Sequence, residues 1–300
     1  MENSEYYSNG KLLLTGEYLV LDGALGLALP TKYGQYLNVE TNDSNFINWK
    51  SYDQNGEVWF KTILELNDLD SKDSSDDLTK RLLQILKAAL QLNPDFLETG
   101  CSVKTKLTFP KDWGLGTSST LINNIAQWAQ VDPYELLKKT FGGSGYDIAC
   151  AQHNTAITYR LIEAVRDIQT VNFNPSFKDC LYFVYLNKKQ NSRDAIESYR
   201  QNTTDLTKDI ETINTVTENI ITCKTLSDFE NLINTHEQIL SSILNQKPIK
   251  ERLFSDFQGS AKSLGAWGGD FILATATENP SAYFKAKGFE TVISYNDLIL

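Results

Sequence analysis

The stretch from Cys101 to Ala129, CSVKTKLTFPKDWGLGTSSTLINNIAQWA, constrains this chain most, because it reads as strand, glycine loop and helix in immediate succession. CSVKTKLTF alternates apolar and polar side chains, as a half-buried strand does. Leu121, Ile125, Trp128 and Ala129 fall on one helical face. Between them lie Gly114 and Gly116, then three hydroxyls in a row, Thr117, Ser118 and Ser119. Glycines let backbone N–H groups approach a ligand, and the unsatisfied amides of a helix start point at it, so this arrangement suits an anion. The helix dipole alone adds only about 0.3–1 kcal/mol, so holding a phosphate needs amides, hydroxyls and a cation together. Ser118 or Ser119 offers Mg2+ the hard oxygen it prefers. The same residues also suit an ordinary turn with a hydroxyl cap.

The flanking sequence is mixed α+β. KLLL, EYLVL and LGLAL read as short strands punctuated by Gly16, Asp22–Gly23 and Pro30, with the DG pair as a hairpin signal. QYLNVET and EVWFKTI extend the β pattern to about residue 64. DDLTKRLLQILKAALQL, from Asp76, has helical apolar spacing and an acidic start. DPYELLKKTF opens with Asp132 as a cap and Pro133 at the first helical position. TAITYRLI and DCLYFVYLN read as strands, the segment from about 192 to 245 as helix, and the C-terminus closes as strand, helix and strand. No internal repeat or low-complexity linker interrupts this order. At 300 residues the chain exceeds one ordinary core, and a division into 1–170 and 171–300 is expected.

Two further glycine loops stand out. GGSGYDIACA places Asp147 just after three glycines, where a carboxylate either orients a substrate hydroxyl or caps a helix. An ordinary aspartate, with a pKa of about 3.9, is a feeble base, so the first role is that of an orienter accepting the proton late in phosphoryl transfer. KSLGAWGGDF, with Gly265, Gly268 and Gly269, is expected to follow a helix and precede the strand FILATA, either as a sharp connector or as part of a pocket. The familiar alternatives fail. There is no GxxxxGK[ST], GLGTSS lacks the third glycine of a dinucleotide fingerprint, and GGSGY misses the last glycine of a nucleophile elbow. His153 and His236 read as structural or surface residues.

Charge and cysteine usage exclude other classes. The formal charge of −10 works against nucleic acid and anionic membranes, and no basic run offsets it. No apolar run is long enough to span a bilayer, and the polar start MENSEYYSNGK lacks a signal-peptide core. Four scattered cysteines, Cys101, Cys150, Cys180 and Cys223, read as free thiols in a reducing cytoplasm.

Taken in order, GKLLLTGEYLVLDGALGLALPT, GLGTSST and GAWGGD resemble the three motifs of the GHMP kinases, the galactokinase, homoserine, mevalonate and phosphomevalonate kinase superfamily. The match runs from Gly10 to about Ala276. GEYLVLDG, GSGYDIA and GAWGGD are most similar to the phosphomevalonate kinase branch, and the short length to some mevalonate kinases.

The resemblance implies an N-terminal domain like ribosomal protein S5 domain 2, a ferredoxin-like C-terminal domain, and an ATP- and Mg2+-dependent kinase. By motif position it makes Lys11 and Asp147 catalytic. Gly114, Leu115, Gly116, Thr117, Ser118 and Ser119 would cradle ATP, with Ser118 and Glu135 on Mg2+. Glu17, Tyr18, Ser192, Arg193, Gly265, Gly268 and Gly269 would meet the acceptor. The implied protein is a cytoplasmic monomer or homodimer acting on a small anionic substrate, 5-phosphomevalonate, without nucleic acid or membrane. Mevalonate kinase, diphosphomevalonate decarboxylase and a non-catalytic regulatory relative remain alternatives. Two departures from the motifs bear on the pocket: Asp112–Trp113 precede GLG where a glycine is usual, and Trp267 replaces a glycine in the third motif.

Overall fold

A computed structural model describes residues 3–69, 76–188, 196–197, 199–201, 205–267 and 269–300. The chain forms two compact units. The first holds Met1–Gly10, Tyr33–Lys111 and Leu115–Gln152; the second holds Lys11–Lys32, Asp112–Gly114 and His153–Leu300. Two long paired strands, β1 (Asn3–Thr15) and β2 (Gly26–Thr41), pass from one unit into the other.

In the first unit the strand order is β4-β3-β5-β2, with β3 at Phe46–Tyr52, β4 at Val58–Glu65 and β5 at Cys101–Leu107. β5 runs antiparallel to β2, from Gln35↔Leu107 to Thr41↔Cys101, and parallel to β3. Its alternation buries Cys101, Val103, Thr105 and Leu107 on one face. Among the described residues four helices accompany this sheet: α1 (Asp77–Leu92), α2 (Thr117–Ala129), α3 (Pro133–Thr140) and α4 (Tyr146–Ala151). Asp76 caps α1 by accepting the Thr79 N–H at 2.8 Å, and Asp132 caps α3 by accepting the Tyr134 and Glu135 N–H groups. Leu82 and Leu86 of α1, Ile122 and Ile125 of α2, Leu136 of α3 and Ile148 of α4 join Val39, Trp49 and Leu64 in one core.

In the second unit β6 (Ile157–Ile162) pairs with the first residues of β2 and forms a hairpin with β7 (Val165–Thr170). A separate antiparallel sheet has the order β11-β8-β10-β9, from β8 (Leu181–Tyr185), β9 (Ala261–Ser263), β10 (Phe271–Thr275) and β11 (Val292–Ser294). The helices of this unit among the described residues include α5 (Thr207–Thr222), α6 (Leu226–Leu244), α7 (Ile249–Leu253), α8 (Ser281–Ala286) and α9 (Tyr295–Leu298). Val184, Ile272 and Ala274 pack under Phe254, Phe257 and Phe284, while Tyr18, Leu19, Tyr199, Ile213, Leu240 and Trp267 form a second apolar cluster.

Two local expectations are corrected. EYLVL is not a strand: Leu19–Asp22 form a single 3₁₀ turn, and Gly23, at φ +91°, ends it in the left-handed region instead of turning a hairpin. Tyr18, Leu19 and Val20 are all buried, so their apolar character reports burial and carries no strand period. The third glycine loop follows strand β9, not a helix. It is the turn of the β9–β10 hairpin, in which Ser263 pairs with Ile272 and the Leu264 N–H donates to the Phe271 carbonyl.

Candidate active site

In the first unit α2 begins directly behind the glycine–hydroxyl loop. Its N-cap, Gly116, sits at φ +98°, and no side chain caps the helix start. The hydroxyls turn elsewhere: Ser119 Oγ donates to the Gly116 carbonyl at 2.9 Å, and Thr120 Oγ1 donates to Gln35 Oε1 at 2.7 Å. Ser118 is exposed, Leu115 is fully buried, and Thr117 Oγ1 is buried without a hydrogen-bond partner among the described residues. The start of α2 therefore keeps the amides that an anion would use, and Ser118 a free-standing hydroxyl. Asp147 occupies the first turn of α4 behind Gly145, which lies at φ +88°, and its Oδ1 accepts the Ile148 N–H at 3.1 Å. Glu135 lies in the first turn of α3, half-buried.

A buried amide network fixes these helices. Asn123 of α2 donates from Nδ2 to Ser8 Oγ at 2.8 Å and accepts from Gln152 Nε2 at 3.0 Å. Ser8 Oγ donates in turn to Asn124 Oδ1 at 2.7 Å, and Asn124 Nδ2 donates to the Gln35 carbonyl. Gln152 ends α4, so one side chain ties β1, the helix behind the glycine–hydroxyl loop and the helix that carries Asp147.

In the second unit the first and third motifs meet. Gly16 stands at φ +84°, where a Cβ would lie 3.0 Å from the Gly26 Cα, so no larger residue fits. Glu17 is 1 % exposed and its carboxylate turns inward, onto Lys262 Nζ of β9 and 3.2 Å from His236 Nε2 of α6. Lys262 and His236 are themselves fully buried. The Gly16 N–H donates to His236 Nε2 at 2.9 Å, which makes the imidazole an acceptor at that nitrogen and places its proton on Nδ1. Burial, reinforced by the Lys262 charge, holds the His236 pKa well below its ordinary value and the ring neutral. Burial pushes the Glu17 carboxyl up to about 7 against the opposing pull of Lys262. Glu237, next along α6, accepts from the Ser263 N–H and Oγ–H and from the Ile249 N–H, and burial raises its pKa as well.

Three non-glycine residues in this region adopt positive φ: Tyr18 at 62°, Trp267 at 56° and Asp270 at 54°. Backbone strain of this kind gathers at functional sites. Tyr18 and Trp267 share one apolar cluster, and the Trp267 carbonyl accepts from Gln246 Nε2 at 3.1 Å. Asp270 lies against the loop that leads to α2: a Cβ on Gly114, at φ +69°, would come within 2.5 Å of the Asp270 carboxyl carbon. That approach is fixed from both sides. Trp113 packs edge-on against Phe271 with ring centroids 5.5 Å apart, and Tyr185 Oη donates to the Asp112 carbonyl at 3.0 Å. The unusual Asp112–Trp113 pair thus anchors the loop to β8 and β10.

The expected site residues divide between the units. Leu115–Ser119, Glu135 and Asp147 belong to the first; Lys11, Glu17, Tyr18, Gly114, Gly265 and Gly269 to the second. Ser192, Arg193 and Gly268 lie outside the described residues. Among the described residues no group of three or more His, Cys, Asp or Glu side chains gathers as a metal cage, and no helix is long and apolar enough to cross a membrane. Mg2+ needs no such cage, because it keeps several waters and takes its remaining oxygens from phosphates and one or two side chains. An exposed serine hydroxyl at an uncapped helix start fits that donor set. Lys262, His236, Glu237 and Asp270 are absent from the sequence-derived site. The one signal for Lys262 is its place in GSAKSL, a lysine among small residues directly before the third motif.

No protein-family model matches the sequence, and no curated protein matches it significantly. Solved structures do. Mevalonate kinase from Methanococcus jannaschii superposes with a TM-score of 0.72 at 17% identity, covering 97% of this chain and 96% of that one. Phosphomevalonate kinase from Streptococcus pneumoniae, solved with phosphomevalonate and AMPPNP, gives 0.71 at 16% identity over 97% and 99%. Galactokinase from Lactococcus lactis, solved with galactose, gives 0.69 at 13% identity over 95% and 88%. Nearly the whole length of this chain, in both of its units, has the fold of the GHMP kinases.

Proposed function

We propose that this chain is an ATP-dependent small-molecule kinase that transfers the γ-phosphoryl group of ATP to 5-phosphomevalonate. The observation that carries the reading is the meeting of three glycine segments around buried charge: the first motif on Lys262 through Glu17, and Gly114 of the phosphate loop on Asp270 of the third. In the transfer an acceptor oxygen forms a bond to the γ-phosphorus as the bond to the β–γ bridging oxygen breaks, leaving ADP. A phosphate acceptor is largely ionised near neutral pH and brings no proton, so the task of Asp147 is orientation; with a hydroxyl acceptor it would also take the proton late in the transfer. Lys11 neutralises charge near the reacting oxygen. The open amides behind Gly116 and the Thr117 and Ser118 hydroxyls hold the phosphates. Ser118 and Glu135 would hold Mg2+, which supplies positive charge to the phosphate oxygens. Ser192 and Arg193 would meet the acceptor's own phosphate, since a guanidinium fork matches a phosphate edge.

Mevalonate is the alternative acceptor, in keeping with the similar fold of a mevalonate kinase. ADP release measured across mevalonate, 5-phosphomevalonate, homoserine and several sugars separates the two. Turnover with 5-phosphomevalonate alone is expected, and turnover with mevalonate alone moves the substrate while keeping the chemistry. With the preferred acceptor, Asp147→Asn is expected to lower kcat by about a hundredfold or more. A loss of less than tenfold removes Asp147 from its assigned role.

A further inference from the structure

We infer that Glu17, Lys262 and His236 form a clamp that holds Tyr18 in a strained turn, which makes Lys262 and His236 positioning residues for the acceptor side of the site. The inference rests on the kinase reading above, with Tyr18 as an acceptor-binding residue.

Tyr18 has φ 62° and ψ −53°, and the Leu19 N–H donates to the Glu17 carbonyl at 2.7 Å. This is the γ-turn of positive φ, a rare and strained conformation for any residue with a side chain. Such strain persists only where the surroundings over-determine it. Here they do so at the two preceding residues. The Gly16 N–H is fixed on His236 Nε2, and the Glu17 carboxylate on Lys262 Nζ. Both anchors are held in their turn. Lys262 Nζ also donates to the Ser263 carbonyl at 2.9 Å, and Glu237, beside His236 on α6, accepts from the backbone and side chain of Ser263. Leu264 then opens the third motif, so one cluster sets the geometry of both the first and the third motif.

The composition of the cluster supports a positional role. A buried ion pair adds little to stability over a well-packed apolar replacement, because desolvation offsets the attraction. Four ionisable side chains, each at most 2 % exposed, are therefore a poor way to gain stability alone. Glu17 Oε2 and His236 Nδ1 even lack a hydrogen-bond partner among the described residues. Past the turn, burial and the charges of Glu17 and Asp270 raise the pKa of Tyr18, which keeps its hydroxyl protonated and able to donate to an acceptor oxygen.

The test compares Lys262→Met with the double variant Lys262→Met/Glu17→Gln, in melting temperature and in KM for acceptor and for ATP. The single variant strands the Glu17 carboxyl in the interior, and the double variant relieves it. The expected result is a double variant that melts near wild type yet keeps an acceptor KM raised about tenfold or more, with the ATP KM within about twofold. Recovery of acceptor KM together with the melting temperature, or a parallel rise in both KM values, overturns the clamp. His236 supplies a second arm that leaves the ion pair in place. His236→Gln retains an acceptor for the Gly16 N–H and His236→Leu does not, so only the leucine variant is expected to raise the acceptor KM; equal effects count against the proposal. If the wild-type protein turns over none of the acceptors, the kinase reading fails by itself. The clamp is then read from the Tyr18 amide resonance in 15N-tyrosine-labelled protein. Displacement of that resonance in the folded double variant supports the clamp, and an unmoved resonance sinks it.

Discussion

At the scale of single residues, Gly114 and Glu17 show how narrowly chemistry is fixed here. Gly114 combines φ +69° with a neighbouring Asp270 carboxyl that a Cβ would overlap. Gly114→Ala is expected to destabilise the fold by more than the ~1–2 kcal/mol that left-handed backbone alone costs an alanine. Adding Asp270→Ala should return only the steric part, which urea unfolding of the single and double variants resolves. Glu17 yields a prediction in pH. Its folded pKa, about 7, lies above the ordinary 4.5, so between those values the folded state keeps a proton that the unfolded chain has released. The stability this contributes is full below pH 4.5 and is lost as pH rises through 7, a fall of up to about 3 kcal/mol. His236 acts oppositely: its lowered pKa costs stability in acid, and that cost fades as pH approaches 6.5. The histidine is common to both proteins, so the stability of Glu17→Gln relative to wild type should rise steadily from pH 5 to pH 8. A difference independent of pH would show that Glu17 is ionised throughout.

Helices and strands were legible in the sequence where their signals are local. Asp76 and Asp132 mark their helix starts because a cap acts over three residues, and β5 shows its period because one face is buried and the other is not. Residues 17–23 and the approach to the third motif misled for the complementary reason: their apolar character answers to contacts made far along the chain. Of the candidate site, the glycine loops could be read, since positive φ demands glycine locally. The Lys262–Glu17 pair could not, because its members stand 245 positions apart. The Asn123 network is equally silent in sequence, where LINNIAQWA looks like an ordinary amphipathic helix. Asn123→Ala leaves the buried Ser8 hydroxyl without its donor and removes the part-buried bond from Gln152, and should cost about 1–3 kcal/mol. It should also lower kcat, because α2 and α4 lose their common tie. Urea midpoints and steady-state rates at saturating substrate check the two effects separately.

For the whole molecule, the two units do not correspond to two halves of the chain. The second needs Lys11–Lys32 and Asp112–Gly114 from the N-terminal side. A fragment of residues 153–300 would lack β2 as the partner for β6, and would bury Lys262 and His236 without Glu17 or Gly16. Such a fragment is expected to show no cooperative melting transition by circular dichroism, whereas the full chain should. A sharp transition in the fragment would mean that the N-terminal segments adorn the unit without completing it.

The separations within the cluster also bear on the order of events as the chain is made. Gly16 meets His236 across 220 positions and Glu17 meets Lys262 across 245. Long-range contacts of this kind are closed late, because the entropy of the intervening loop is lost before the contact returns anything. On the ribosome the GEY segment emerges 220 to 245 residues before the partners that set its turn. Helix α2, held through Asn123 and Asn124 by Ser8, Gln35 and Gln152, is free to form long before, whereas the loop at Asp112–Gly114 also waits for β8 and β10. In a nascent chain α2 can therefore form first, while the turn at Tyr18 and the loop at Asp112–Gly114 both await the β9–β10 hairpin, which sets the two glycine segments in one late step.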